Sequence, residues 1–146
     1  MSGFSYYHRI LAYRVHRAGR MANTKALIVQ AYSAFNRWDV DGALGVMSEN
    51  VDWPKASEGG RVVGKEEIRA YWTRQWAEFN PKVEPIEVTD REEGRTDVKV
   101  HQLVKNLNGD IISEQTLWHV FTIANGLIER MDIRESEPAF GHDHAR

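Results

Sequence analysis

The chain contains no cysteine. That excludes thiol nucleophiles, thiolate metal sites and disulfides together, and leaves the redox compartment open. Long apolar runs are missing too: no stretch of the sequence approaches the ~20 residues needed to cross a bilayer. Proline occurs only four times, at Pro54, Pro81, Pro85 and Pro138, so each one is informative about where regular structure stops. Acidic residues are absent from the first twenty positions, which carry Arg9, Arg14, Arg17 and Arg20. The remainder holds 15 basic and 21 acidic residues, an acidic body that speaks against nucleic-acid backbone binding despite Trp72 and Trp76 standing near Arg69 and Arg74. Phosphate-binding loops, Gly-x-Ser-x-Gly elbows and His-Glu-x-x-His zinc helices do not occur.

What remains is 146 residues, 42% hydrophobic and 27% charged, the composition of one globular domain large enough to bury its own core. Residues 1–20 combine Phe4, Tyr7, Leu11 and Val15 at near-helical spacing with the four arginines. A transit peptide, a membrane-surface helix or translated upstream sequence all fit that pattern. Met21 followed by the cap-like pair Asn23-Thr24 marks a second plausible start. The expected organisation is a basic extension over 1–20, a domain over 21–137 and a flexible tail over 138–146, whose His142 and His144 suit at most adventitious metal contact.

From Thr24 to Trp38, apolar Leu27, Ile28, Ala31, Tyr32, Ala34 and Phe35 recur at three- and four-residue steps and predict a helix. Asp39 is positioned to cap a second short helix running to about Asn50. Val51-Asp52-Trp53 reads as a strand ended by Pro54, with Asp52 on the face opposite Val51 and Trp53. Gly59, Gly60 and Gly64 punctuate a loop, and a third helix is expected from Lys65 to about Asn80, stopped by Pro81. Its stripe contains Tyr71, Trp72, Gln75 and Trp76, which suits either a plain core or the wall of a ligand cavity.

The rest is β-like. Pro85 places the strand Val83–Thr89 at a sheet edge or a bulge. Asn108-Gly109 and Asn125-Gly126 predict two tight hairpin turns. With two-residue turns, partner positions sum to 217 in the first hairpin and 251 in the second. One sheet face then collects Val98, Val100, Gln102, Gln115, Leu117, His119, Phe121 and Asp132, with His119 directly opposite Asp132. The other face receives His101, Leu103, Trp118, Val120, Met131 and Ile133. Both faces are partly apolar, so both should be covered, one by helices and the other by a second copy of the chain.

Gly59–Trp72, together with Trp38-Asp39-Val40-Asp41-Gly42-Ala43-Leu44, Val51-Asp52-Trp53-Pro54 and Asn125-Gly126-Leu127-Ile128, resembles the nuclear transport factor 2-like superfamily, and within it the SnoaL-like polyketide cyclase and ketosteroid isomerase group. The resemblance covers roughly residues 22–136. It implies an α+β cone, a cone-shaped α+β barrel in which three N-terminal helices pack on a strongly curved, mostly antiparallel sheet around a pocket. It does not fix the chemistry, because the fold hosts isomerases, cyclases, dehydratases, epoxide hydrolases and inactive proteins. Ketosteroid isomerases carry a general-base Asp just before a Pro on the first strand, where this chain has Trp53. Their oxyanion donors, an Asp on the penultimate strand and a Tyr on the first helix, correspond approximately to His119 and Tyr32. SnoaL-like cyclases use an acidic residue on the last strand near a His on the strand before it, which His119 and Asp132 match in type and spacing.

The reading is thus a small-molecule pocket protein, with His119 and Asp132 as proton carriers in an isomerase or aldol-type cyclase acting on a small apolar carbonyl compound. Tyr32, Trp53, Tyr71, Trp72, Trp76, Gln102 and Gln115 are the candidate ligand contacts. No metal or cofactor, no nucleic acid and no membrane is expected, and the partners are a small apolar ligand and a second copy in a homodimer. A cytoplasmic location is expected. The alternative is a non-catalytic binding or dimerisation module in which His119 and Asp132 form an ordinary cross-strand pair, with Arg130 and Arg134 joining Asp132 in a salt-bridge network.

Overall fold

The computed structural model describes residues 12–139, with side chains from Asn23 onward. Three helices, α1 (Ala12–Asn36), α2 (Val40–Leu44) and α3 (Lys65–Trp76), accompany six strands: β1 (Met47–Pro54), β2 (Arg61–Val63), β3 (Phe79–Asp90), β4 (Arg95–Asn106), β5 (Ile111–Ala124) and β6 (Leu127–Arg134). The strands form one curved, unclosed sheet in the order β2-β1-β6-β5-β4-β3, antiparallel except where β1 meets β6. The architecture is the expected α+β cone. Among the described residues no helix is long and apolar enough to cross a membrane.

Helix α1 begins at Ala12 and runs through Met21 without a break, so Asn23-Thr24 does not cap it. The residues ahead of that pair, with three Ala and three Arg between positions 12 and 22, favour continuing the helix over starting it there. Ile28, Ala31, Tyr32 and Ala34 are buried against the sheet. The helix closes with Asp39 N–H donating to the Ala34 carbonyl at 2.8 Å and Trp38 N–H to Phe35 at 3.0 Å, the bond pattern of a Schellman stop. Trp38 occupies the left-handed position (φ 62) where glycine is usual, and its ring stacks on Trp76 at 5.7 Å.

Asp39 caps α2 as expected, its Oδ1 accepting from Gly42 N–H at 2.9 Å. That helix stops at Leu44 and not near Asn50, because buried Val46, Met47 and Val51 already belong to the sheet region. Helix α3 ends at Trp76, and Pro81 lies inside β3 instead of terminating the helix. β3 is an edge strand, where a missing N–H costs no ladder bond, and its register slips between Pro85 and Glu87. The Arg61–Val63 stretch, expected as loop, pairs antiparallel with β1.

From Arg95 to Val104 the β4–β5 hairpin has the predicted register: Val98 opposes His119, Val100 opposes Leu117 and Gln102 opposes Gln115. Next to the turn it slips by one, Lys105 opposing Ile111, so Asn108-Gly109 sits in a longer connection than the predicted two-residue turn. In the β5–β6 hairpin, Asn125 (φ 54) and Gly126 (φ 77) form the expected turn, with Ala124 opposite Leu127 and Ile123 opposite Ile128. The register then shifts by one: Thr122 pairs with Arg130, Val120 with Asp132 and His119 with Ile133. Glu129 is the extra residue of a β-bulge, and one extra residue turns every later side chain to the opposite face. The predicted His119–Asp132 pairing is therefore corrected. Met131 and Ile133 face inward with His119, while Arg130 and Asp132 face outward with Val120.

The first hydrogen-bonded face buries Val98, Val100, Leu117, Phe121 and Met131 under the helices in one core with Ile28, Ile68 and Tyr71. On the outer face Trp118 and Val120 are themselves only 6% and 8% exposed within the single chain. The chain after β6 reaches Arg95, whose Nη2 donates to the Ala139 carbonyl at 3.3 Å, and Pro138 is buried. His142 and His144 lie outside the described residues.

Candidate functional site

Between helices and inner sheet face lies a cavity of about 470 Å³, within the range typical of small-molecule sites. Of the residues singled out from sequence, Tyr32, Trp53, Tyr71, Trp72, Gln102, Gln115 and His119 line it, and Asp132 and Trp76 do not. Each wall has a local cause. Tyr32 projects from the buried stripe of α1, Trp53 from the inward side of β1, Tyr71 and Trp72 from α3, and Gln102, Gln115 and His119 from alternating inward positions of β4 and β5.

The chemical centre is a pair that sequence spacing did not connect. Tyr32 Oη and His119 Nδ1 share a hydrogen bond of 2.6 Å, across 87 residues of sequence. The two rings stack at 5.8 Å with an interplanar angle of 17°, and Phe121 closes on both edgewise. His119 is 5% exposed and Tyr32 7%. Burial pushes the His119 pKa down to about 4 and raises that of Tyr32 well above the ordinary phenol value. At neutral pH both groups are uncharged, and among the described residues no partner meets His119 Nε2.

Asp132 belongs to a different structure. Its carboxylate accepts from Arg130 at 2.9 and 3.0 Å and from Arg61 at 3.1 Å, while Asp52 takes the other ends of both guanidinium groups. Partial burial tends to raise the Asp132 pKa, but the hydrogen bond and charge of Arg130, with Arg61 and Arg134, outweigh it and hold the pKa below the usual value. Arg61 also donates to the Met131 carbonyl at 2.7 Å, tying β2 to β6. Of the alternative weighed from sequence, the ion network on Asp132 is present, with Arg130 as expected and Arg61 in place of Arg134 as direct partners, whereas the His119–Asp132 cross-strand pair is absent.

Trp76, one helical turn beyond Trp72, packs behind it. It contacts Phe35 at 5.5 Å and Trp72 at 5.8 Å and stacks on Trp38, and its buried indole N–H has no acceptor among the described residues. Trp53 meets Trp72 edgewise at 5.8 Å and forms the cavity-side continuation of this aromatic row.

Residues that sequence reasoning missed are Ser57 and Glu135. Ser57 lies in the β1–β2 loop, where its N–H donates to Tyr71 Oη at 3.1 Å. Gln75 Nε2 donates to the same oxygen at 3.1 Å, which leaves the tyrosine proton for Ser57 Oγ, also at 3.1 Å. Tyr71 is therefore fully used in holding the loop over the cavity. Outside, Arg74 fixes the same loop through two bonds to Glu58, at 2.8 and 3.0 Å. Glu135 reaches the cavity because the bulge at Glu129 turns Met131, Ile133 and Glu135 inward together. The sequence carried a sign of that bulge: apolar Ile128, Met131 and Ile133 keep no common parity across the charged pair Glu129-Arg130.

Among the described residues there is no group of three His, Asp or Glu arranged to hold a metal ion. The arrangement can instead hold a neutral apolar molecule, and it presents a coupled phenol and imidazole to one end of it.

Comparison with known proteins agrees with this fold. No curated protein sequence matches the chain. An NTF2-like protein of unknown function from Burkholderia pseudomallei is 23% identical with a TM-score of 0.68, the match covering 78% of this chain and 91% of that one. TerC, co-crystallised with polyporic acid, is 21% identical with a TM-score of 0.69 over 78% and 92% of the two chains. A putative polyketide cyclase from Xanthomonas campestris pv. campestris is 23% identical with a TM-score of 0.63 over 77% and 89%. At these identities the structural likenesses establish the fold. The model of the SnoaL-like domain matches residues 28–131, from the buried stripe of α1 to the inward turn of β6, and the chain belongs to the SnoaL-like domain family.

Proposed function

We propose that the protein is an acid/base isomerase or aldol-type cyclase for a small apolar carbonyl compound, working through Tyr32 and His119 without a cofactor. The observation that carries this reading is the 2.6 Å bond between two buried, uncharged groups on the wall of an apolar cavity. Burial disfavours both imidazolium and phenolate there. The imidazole therefore rests as a neutral base, and Tyr32 fixes its tautomer, with Nδ1–H donating to Oη so that Nε2 is free. In the relay His119 Nε2 takes the proton from the carbon beside the carbonyl, and the ketone becomes an enolate beside a short-lived imidazolium whose Nδ1–H remains bonded to Tyr32. Return of that proton from Nε2 to a different carbon shifts a double bond; attack of the enolate on a second carbonyl closes a ring, and the new alkoxide takes the proton back.

A non-catalytic pocket is the second reading, favoured by the near-complete burial of Tyr32, which would let the pair serve only to lock α1 onto β5. Self-association through the outer sheet face is a further part of the proposal, for which half-exposed Leu103 offers apolar contact. Asp132 has no part in the relay. The test is deuterium wash-in at the α-carbon, followed by NMR in D₂O, for benzylideneacetone, cyclic enones and β-diketones. Acceleration by the wild-type chain, cut about 100-fold in H119L and Y32F, supports catalysis. Ligand binding with no acceleration for any of them favours the pocket-only reading.

A further inference from the structure

The cavity has a second polar region that the relay does not use. Gln102 and Gln115 are directly paired across β4 and β5 and both line the cavity. Among the described residues neither amide has a hydrogen-bond partner. Gln115 stands four residues along β5 from His119, about 13 Å at the usual rise of a strand. Between the two poles the inner surface is apolar: Leu117 lines that stretch, with Ile133 beside His119. His119 is deeply buried, whereas Gln115 and Glu135 are exposed, so the second pole is the mouth.

We propose that Gln102 and Gln115 form a recognition pole, and that the preferred ligand is an elongated carbonyl compound with a hydroxyl group at the end remote from its carbonyl. This rests on the reading of the Tyr32–His119 end as the carbonyl-binding end. A carbonyl seated at that end leaves the far end of an extended molecule level with the amide pair. Each amide has both donor and acceptor atoms, so a hydroxyl can give and receive there. Glu135, a neighbouring carboxylate on the cavity wall, accepts from a hydroxyl and repels a carboxylate. The pole therefore selects for neutral hydroxyl ends over acidic ones.

The test uses the full chain and three probes that differ only at the remote end: benzylideneacetone, its 4-hydroxy derivative and its 4-carboxy derivative. Affinity is read by calorimetry and by quenching of the tryptophan fluorescence that Trp53 and Trp72 contribute. The hydroxy probe is expected to bind wild type about tenfold more tightly than the parent. In Q102L/Q115L the ratio of hydroxy to parent affinity falls to about one, and in E135Q the carboxy probe alone gains, by about threefold. Q115L, at an exposed position, carries the test if the double variant unfolds. Equal binding of parent and hydroxy probes to wild type overturns the proposal, as does a preference that survives the double variant. If no probe binds at all, the carbonyl-pocket reading fails and this inference falls with it, a result distinct from parent binding without preference.

Discussion

Tyr32 on α1 and His119 on β5 meet at 2.6 Å inside the cone, and no other polar group in the described residues bonds to either. Helix and sheet are thereby fixed to one another at a buried part of the cavity wall. Removing the phenol oxygen leaves His119 Nδ1 buried without its partner. We expect Y32F to lose about 1–3 kcal/mol of stability, measured by urea denaturation. Its His119 tautomer distribution, read from the ring ¹⁵N shifts, should change as well. A variant with wild-type stability and an unchanged tautomer would mean that the bond is not formed in solution.

The pH dependence of stability follows from the same burial. The folded His119 pKa of about 4 lies below the unfolded value of ~6.5. Above the unfolded value neither state binds the proton and nothing is lost. As pH falls from there towards 4 the unfolded chain takes up a proton that the folded chain refuses, so stability declines, by about 3 kcal/mol in total. Comparing wild type with H119Q between pH 7 and 4 should isolate this loss, with the variant flatter over the same window.

Asp132→Asn separates the outer ion network from the chemistry. The Asp132 side chain is 28% exposed, and its pairs with Arg130 and Arg61 are partly screened by solvent. We expect a loss of about 1 kcal/mol and an unchanged rate of α-proton exchange. A fall in rate comparable to that of H119L would return Asp132 to the catalytic centre.

Much of this could be read along the chain. The register of β4 with β5, the turn at Asn125-Gly126, the cap at Asp39 and the edge position of Pro85 all follow from local chemistry that acts within a few residues. The contents of the pocket wall on β4 and β5 followed from that register. What the reading lost, it lost through one residue. Glu129 adds a bulge, and because side chains in a strand alternate, Asp132 exchanged places with Ile133. The partner of His119 was then out of reach of any strand arithmetic, since Tyr32 comes from a helix and its approach to β5 is set by packing. Tyr32 itself was singled out only through resemblance and the three- and four-residue spacing of apolar residues in its helix, without a link to His119.

Deleting Glu129 tests the assignment of that bulge. Glu129 is the residue with no opposite number, so its removal leaves Ile128 opposite Ile123, Arg130 opposite Thr122 and Met131 opposite Phe121 in a regular ladder, with Met131 and Ile133 still inward. We expect the variant to fold cooperatively with a loss of at most about 0.5–3 kcal/mol, monitored by circular dichroism in urea. A deletion that abolishes cooperative unfolding would show that Glu129 is not the extra residue.

The most direct measurement is the NMR titration of His119 in the full chain, free and with benzylideneacetone bound. The account predicts a ring that stays neutral down to about pH 4 and whose ¹⁵N shifts move when the enone enters, with both behaviours altered in Y32F and unaltered in D132N. A His119 that titrates near the ordinary value of ~6.5, or that ignores every ligand that binds the chain while following D132N, would contradict it.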